Sequence, residues 1–199
     1  MVQAPGANYK LTPQRIDEAV SVFYEAAMIV MQYEIQEETI KYIIDLANGK
    51  NIPGMWNCPP ARAFDASYIP KISILVLNEV EAGFLAGMAV ENKTDAEKAA
   101  DVLIAKGVEK VIITLGSQGA FVVTKNEKVS IPSYKVDAID TTAAGDTFCG
   151  AFSVALVEGK SLKEALQFAS AAAAISVTRM GAQPSAPTRA EIDGFLKEN

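Results

Sequence analysis

Lys110-Val111-Ile112-Ile113-Thr114-Leu115-Gly116-Ser117-Gln118-Gly119 decides the architecture of this chain. An apolar run of strand length ends at a turn with two glycines, which reads as a buried strand. Upstream, residues 94–106 carry the spacing of a capped helix that feeds this strand. The alternation continues towards the N-terminus. Residues 27–32 are an apolar run of strand length, and residues 37–47 return to helical period through Ile40, Ile43, Ile44 and Leu46, closed by Gly49. Ahead of them Thr12-Pro13 offers an N-cap and a first-position proline for one helix, with Ile16, Val20, Phe23 and Tyr24 on its apolar face. Met55-Trp56-Asn57 and residues 73–77 read as further buried strands. Strands alternating with helices imply an α/β fold with a parallel sheet covered on both faces.

Beyond Gly116 the pattern changes. Residues 120–123 and 128–131 read as a hairpin around Lys125-Asn126-Glu127. Helical period then takes over in residues 144–157 and 162–180, followed by a last short helix that Pro187-Thr188 introduces and Phe195 anchors. With no repeat, low-complexity tract or long linker, residues 1–199 read as one domain. The opening, with residues 1–4 as the tail of a strand and Pro5-Gly6-Ala7-Asn8 as its turn, reads as part of a longer fold.

Composition narrows the chemistry. Half of the 199 residues are apolar and 21% are charged, enough for a sizeable core and too apolar for a disordered chain. A net charge of -6, from 18 Lys and Arg against 24 Asp and Glu, speaks against nonspecific nucleic-acid binding, which needs a basic face. Cys58 and Cys149 lack zinc-site spacing and there is no histidine, so a disulfide or transition-metal site is not expected and a reducing compartment is. No apolar run approaches the ~20 residues of a membrane span, and the start lacks the pattern of a secretion signal, so the reading is soluble and cytoplasmic. Without an imidazole, a base acting near neutral pH must be a carboxylate.

Three segments carry candidate chemistry. Asp140-Thr141-Thr142-Ala143-Ala144-Gly145-Asp146-Thr147-Phe148 is a small-residue turn opening a long helix. Its backbone N–H groups and the positive end of the helix dipole can receive an anion, and Asp146 can accept a proton from a hydroxyl held beside it. The same residues also suit an ordinary helix start, with Asp146 complementing the dipole. Thr114 to Gly119 stands at the carboxyl end of a strand, where open α/β sheets bind ligands, but two glycines also make a plain turn. It matches neither a Walker loop nor the dinucleotide fingerprint. Asn78-Glu79-Val80-Glu81 follows a strand, where carboxylates can hold Mg2+ through water, and it equally fits a helix capping box.

Taken together and in order, these segments resemble the ribokinase (PfkB-type carbohydrate kinase) family. The family's second signature is matched by residues 140–151. The resemblance extends through Pro5-Gly6-Ala7-Asn8, Gln32-Tyr33-Glu34, Asn57-Cys58-Pro59-Pro60-Ala61-Arg62, Asn78 to Glu81, Thr114 to Gly119, and Ala171 to Ser185, which ends in Met180-Gly181-Ala182-Gln183-Pro184-Ser185.

The resemblance implies a ribokinase-like three-layer αβα sandwich with a mostly parallel sheet, and ATP-dependent phosphorylation of a sugar hydroxyl, with D-ribose the favoured acceptor. It implies Asp146 as the base and Ala143, Ala144 and Gly145 as the anion hole. It also implies an ATP site of Asn57, Thr114, Leu115, Gly116, Ser117, Gln118, Gly119, Gly145 and Ser170. Glu34 matches a sugar-contacting residue, and Asn78 and Glu81 a region that supports Mg2+ and phosphate. Asp140, Thr142, Ser176, Arg179, Gly181 and Ser185 match loops that hold an activating monovalent cation, K+, mostly through backbone oxygens. Full-length members carry a further N-terminal part with the first strands, a β lid and a paired-glycine sugar loop. The chain lacks a match to it, so exposed sheet edge and loss of the lid-mediated homodimer are expected. The alternatives are another sugar or nucleoside kinase of the family, and a catalytically silent nucleotide-binding fragment.

Overall fold

The computed structural model describes residues 6–57 and 64–199. The strand tail and Pro5 of the expected opening turn, together with Cys58 and residues 59–62 of the family match, lie outside the described residues. Gly6–Lys10 forms a short 3-10 helix. Six strands, β1 (Ile29–Gln32), β2 (Gly54–Asn57), β3 (Ile74–Asn78), β4 (Lys110–Thr114), β5 (Ala120–Thr124) and β6 (Lys128–Ile131), follow one another across the sheet in chain order. The helices are α1 (Pro13–Glu18), α2 (Val20–Glu25), α3 (Glu37–Gly49), α4 (Glu79–Ala86), α5 (Lys93–Ala105), α6 (Ala144–Val157), α7 (Leu162–Val177) and α8 (Arg189–Glu198). The chain divides into two compact units, the first built from Met1–Ile113 with Val123–Lys125, the second from Thr114–Val122 with Asn126–Asn199.

In the first unit β1, β2 and β3 run parallel, with Gln32 opposite Asn57 and Asn57 opposite Val76. Ile74, Leu75, Val76 and Leu77 are all buried, as a strand covered on both faces requires. Helix α3 buries Ile40, Ile43, Ile44 and Ala47; Ile43 and Ala47 meet Ile16 of α1 and Ile29 of β1 in one cluster. Three expectations are corrected here. The single helix expected after Thr12 is two, parted at Ala19, and Thr12 stands extended at the N-cap position without a side-chain capping bond. Helix α3 is closed not by Gly49 but by Asn51 at φ 55°, with Ile52 N–H bonding Ala47 O (2.9 Å) and Asn51 N–H bonding Asn48 O (3.1 Å). This is a Schellman closure in which asparagine takes the left-handed place glycine usually fills. Helix α5 starts at Asn92, whose side chain accepts from Asp95 N–H.

In the second unit α6 and α7 form the main helix pair. Helix α6 buries Phe148, Phe152 and Ala155, and the ring of Phe148 stacks on that of Phe152 at 6.0 Å. Helix α7 buries Ala165, Ala169, Ala171 and Ala172, small side chains that let backbones approach closely. It begins at a capping box of Ser161 and Glu164 and ends at Val177, short of the Met180 expected from its apolar period. Helix α8 begins at a capping box of Thr188 and Glu191. Its buried residue is Ile192; Phe195, expected to anchor it, is half-buried and edge-on to Tyr134 at 5.1 Å.

Candidate active site

The start of α6 differs from those of α7 and α8 in having no side chain at its cap to accept a hydrogen bond. The N-cap residue is Ala143, held at φ 60°, one of two non-glycine residues with positive φ among those described. Ala144 N–H bonds Thr141 O (3.3 Å) and Thr147 N–H bonds Ala143 O (2.9 Å). Gly145 and Asp146 follow exposed in the first turn. First-turn amides without a capping side chain, at the positive end of a 14-residue helix, are suited to an external anion.

The turn before this helix is tied to the segment after α7. Val177 O accepts from Ile139 N–H (2.7 Å) and Asp140 N–H (3.1 Å). The Asp140 carboxylate accepts from Thr142 N–H with one oxygen (2.9 Å) and from Gly181 N–H with the other (2.9 Å). Hydrogen bonding from Thr142 and the Gly181 N–H holds this carboxyl below the usual carboxylate range. Ser176 and Ser185 are fully buried and donate to Ala173 O (2.8 Å) and Ala182 O (2.7 Å). Arg179 donates to Glu191 at 2.6 Å. Asp140, Thr142, Ser176, Arg179, Gly181 and Ser185 thus belong to two linked segments rich in carbonyls and hydroxyls, whose guanidinium is paired with a carboxylate of α8. That donor set fits a hard cation held by oxygens.

A groove of about 550 Å3, mostly apolar, adjoins Asp146; its lining includes Thr147, Gly150 and Val154 of α6, Phe168 of α7 and Arg189 of α8. Neither Ser170, half-buried on α7, nor residues 114–119 line it. The 114–119 segment closes on itself beyond β4, with Leu115 N–H bonding Gly119 O (2.8 Å) and Gln118 N–H bonding Leu115 O (2.9 Å). Ser133 Oγ donates to Ser117 O at 2.6 Å. Gly119, at φ 96°, has room for no side chain, since a Cβ there would lie 2.1 Å from Ile131 O.

The remaining expected residues belong to the first unit, at strand carboxyl ends: Glu34 just after β1, Asn57 ending β2, Asn78 ending β3 and Glu81 in the first turn of α4. The parallel register aligns β1 and β2 there. Asn78 and Glu81 form the capping box: Asn78 accepts from Glu81 N–H and Glu81 from Asn78 N–H, both at 2.9 Å. Burial of Glu81, 8% exposed, raises its carboxyl pKa. Among the described residues no group of three or more Asp, Glu or Cys side chains could hold a metal ion. Each side chain is thus engaged by the other residue's backbone N–H. No helix among the described residues is long and apolar enough to cross a membrane.

Two participants escaped the sequence reading. The carbonyl of Val177, which holds Ile139 and Asp140, has no side-chain signature. Glu191 was legible as a capping partner from Thr188-x-x-Glu191, but its bond to Arg179 spans 12 positions and carries no local pattern.

Comparison with known proteins is consistent with these features. The chain is 41% identical over 197 residues to a ribokinase of Haemophilus influenzae, covering 99% of this chain and 64% of that protein. It is 36% identical over 195 residues to a deoxyribokinase of Salmonella typhi, covering 98% of this chain and 64% of that one. Among solved structures it resembles Arabidopsis thaliana ribokinase complexed with ribose and ATP, with a TM-score of 0.93 at 32% identity over 98% of this chain and 64% of that one. Thermotoga maritima ribokinase gives a TM-score of 0.88 at 41% identity, again over 98% and 64%. The chain therefore spans less than two-thirds of the length of these relatives. Its fold is the ribokinase-like α/β fold, a mixed six-stranded sheet flanked by helices. The model of pfkB family carbohydrate kinases matches residues 1–189, and the chain belongs to that family.

Proposed function

We propose that residues 1–199 are part of one carbohydrate kinase domain that transfers the γ-phosphoryl group of ATP to a sugar hydroxyl, with D-ribose as the acceptor, in the cytoplasm. The observation that carries this reading is the start of α6: a turn held by Asp140, a helix capped by a residue whose side chain can neither donate nor accept, and an exposed carboxylate in the first turn. In this scheme Asp146 accepts the proton of the attacking hydroxyl as the new O–P bond forms and the β–γ bridging bond of ATP breaks. The amides of Ala143, Ala144 and Gly145 receive the charge on the transferring group. Such transfer asks for positioning and charge stabilisation more than for covalent chemistry, which suits a chain without histidine.

Thr114 to Gly119, with Asn57, Gly145 and Ser170, would hold ATP, and Glu34 would meet the sugar. Mg2+ would neutralise phosphate charge, with Asn78 and Glu81 supporting it through water, and K+ would sit on the Asp140 and 176–185 segments. A second acceptor, deoxyribose, is favoured by one specific observation, the similarity to a deoxyribokinase over nearly the whole chain.

The test is phosphoryl transfer from ATP to D-ribose and to 2-deoxyribose by this chain, with Mg2+ and K+ present and Asp146→Ala as control. Loss of turnover in Asp146→Ala with ATP binding retained supports the assignment. Binding of ATP without turnover in the parent chain points to an incomplete kinase, and failure to bind ATP removes the reading.

A further inference from the structure

Glu191 gathers four bonds at the start of α8. One oxygen accepts from Arg179 at 2.6 Å, and the other accepts from Thr188 N–H (2.7 Å) and Thr188 Oγ1 (2.8 Å), while Glu191 N–H bonds Thr188 Oγ1 at 3.4 Å. Capping alone would need only the Thr188 pair. The bond to Arg179 reaches a segment that has no regular structure between the end of α7 at Val177 and the 3-10 turn Gln183–Ser185. The side chains of Arg179 and Glu191 are 35% and 43% exposed. An ion pair that open adds little to global stability; what it can do is narrow the conformations of an irregular segment. That segment has two grips on the turn before α6: Val177 O holds Ile139 and Asp140, and Gly181 N–H holds the Asp140 carboxylate.

We propose that Glu191 is a positioning residue for the phosphate-binding turn: through Arg179 it restrains residues 177–181, and through them Asp140 and the entry into α6. This rests on the phosphotransfer reading only for what the turn binds. Glu191 touches no reacting atom in this scheme, and its effect is transmitted by hydrogen bonds that can each be followed.

The test is amide hydrogen exchange on the full chain for Ile139, Asp140, Thr142 and Gly181, whose N–H groups are all bonded within the linkage. Arg179→Gln and Glu191→Gln should each speed these amides about tenfold, Arg179→Lys should restore part of the protection, and Thr188→Ala should leave them within about twofold. The ATP dissociation constant, by calorimetry, should rise about fivefold in the first two variants. Exchange unchanged in both glutamine variants, or accelerated equally by Thr188→Ala, overturns the proposal and leaves Glu191 as a helix cap. If the unmutated chain fails to bind ATP while the amides still respond, the phosphotransfer reading falls and the positioning role stands.

Discussion

Ala143 is held where its Cβ crowds the backbone, a conformation that costs an L-residue about 1–2 kcal/mol and that glycine adopts freely. Ala143→Gly should therefore raise stability by up to about 1 kcal/mol in urea titration, part of the gain being offset by the freer unfolded chain. The opposite outcome is expected at Gly119, where positive φ and the Ile131 carbonyl leave no space. Gly119→Ala should cost about 3 kcal/mol or more by the same measurement. Trp56 is 1% exposed, and its indole N–H lacks a hydrogen-bond partner among the described residues, buried against Tyr33 and Phe64 at ring distances of 5.6 and 4.4 Å. Trp56→Phe removes that unsatisfied donor while opening a small void, so the two effects should nearly cancel, to within about 1 kcal/mol.

At the start of α8, hydrogen bonds from Arg179 and then Thr188 pull the Glu191 carboxyl from its ordinary 4.5 to about 2. A depressed folded-state value stabilises above the unfolded value, so this contribution is complete above pH 4.5 and is lost as pH falls towards 2. The difference in melting temperature between the parent chain and Glu191→Gln should shrink over that window. Helix boundaries explain what the sequence made legible. The start of α6 was read correctly because a small-residue turn passes into a long apolar period. The break at Ala19 was not, because alanine is the best helix former and only its φ of -112° betrays it. The end of α7 was missed for a related reason: Thr178, Arg179 and Met180 include no breaker, and the helix gives way to tighter bonds from Thr178 N–H to Ile175 O and Arg179 N–H to Ser176 O. The small-residue turn before α6, proposed to receive an anion, was legible as a motif. The bonds that tie it to Val177 and Gly181 were not, since they join residues far apart in the chain.

Over the whole molecule, a net charge of -6 leaves no excess of basic groups for a polyanion. The chain should pass through a heparin column unretained at neutral pH and scatter light most strongly near its isoelectric point of 4.8. The Asp140 to Gly181 bond spans 41 positions and encloses both α6 and α7. Joining such distant points costs chain entropy before any contact repays it, so the turn should acquire its shape only once the two helices have docked. A nucleotide arriving at that turn would select molecules that have finished folding, and its occupancy would draw partly folded chains towards the native state with the logarithm of ligand concentration.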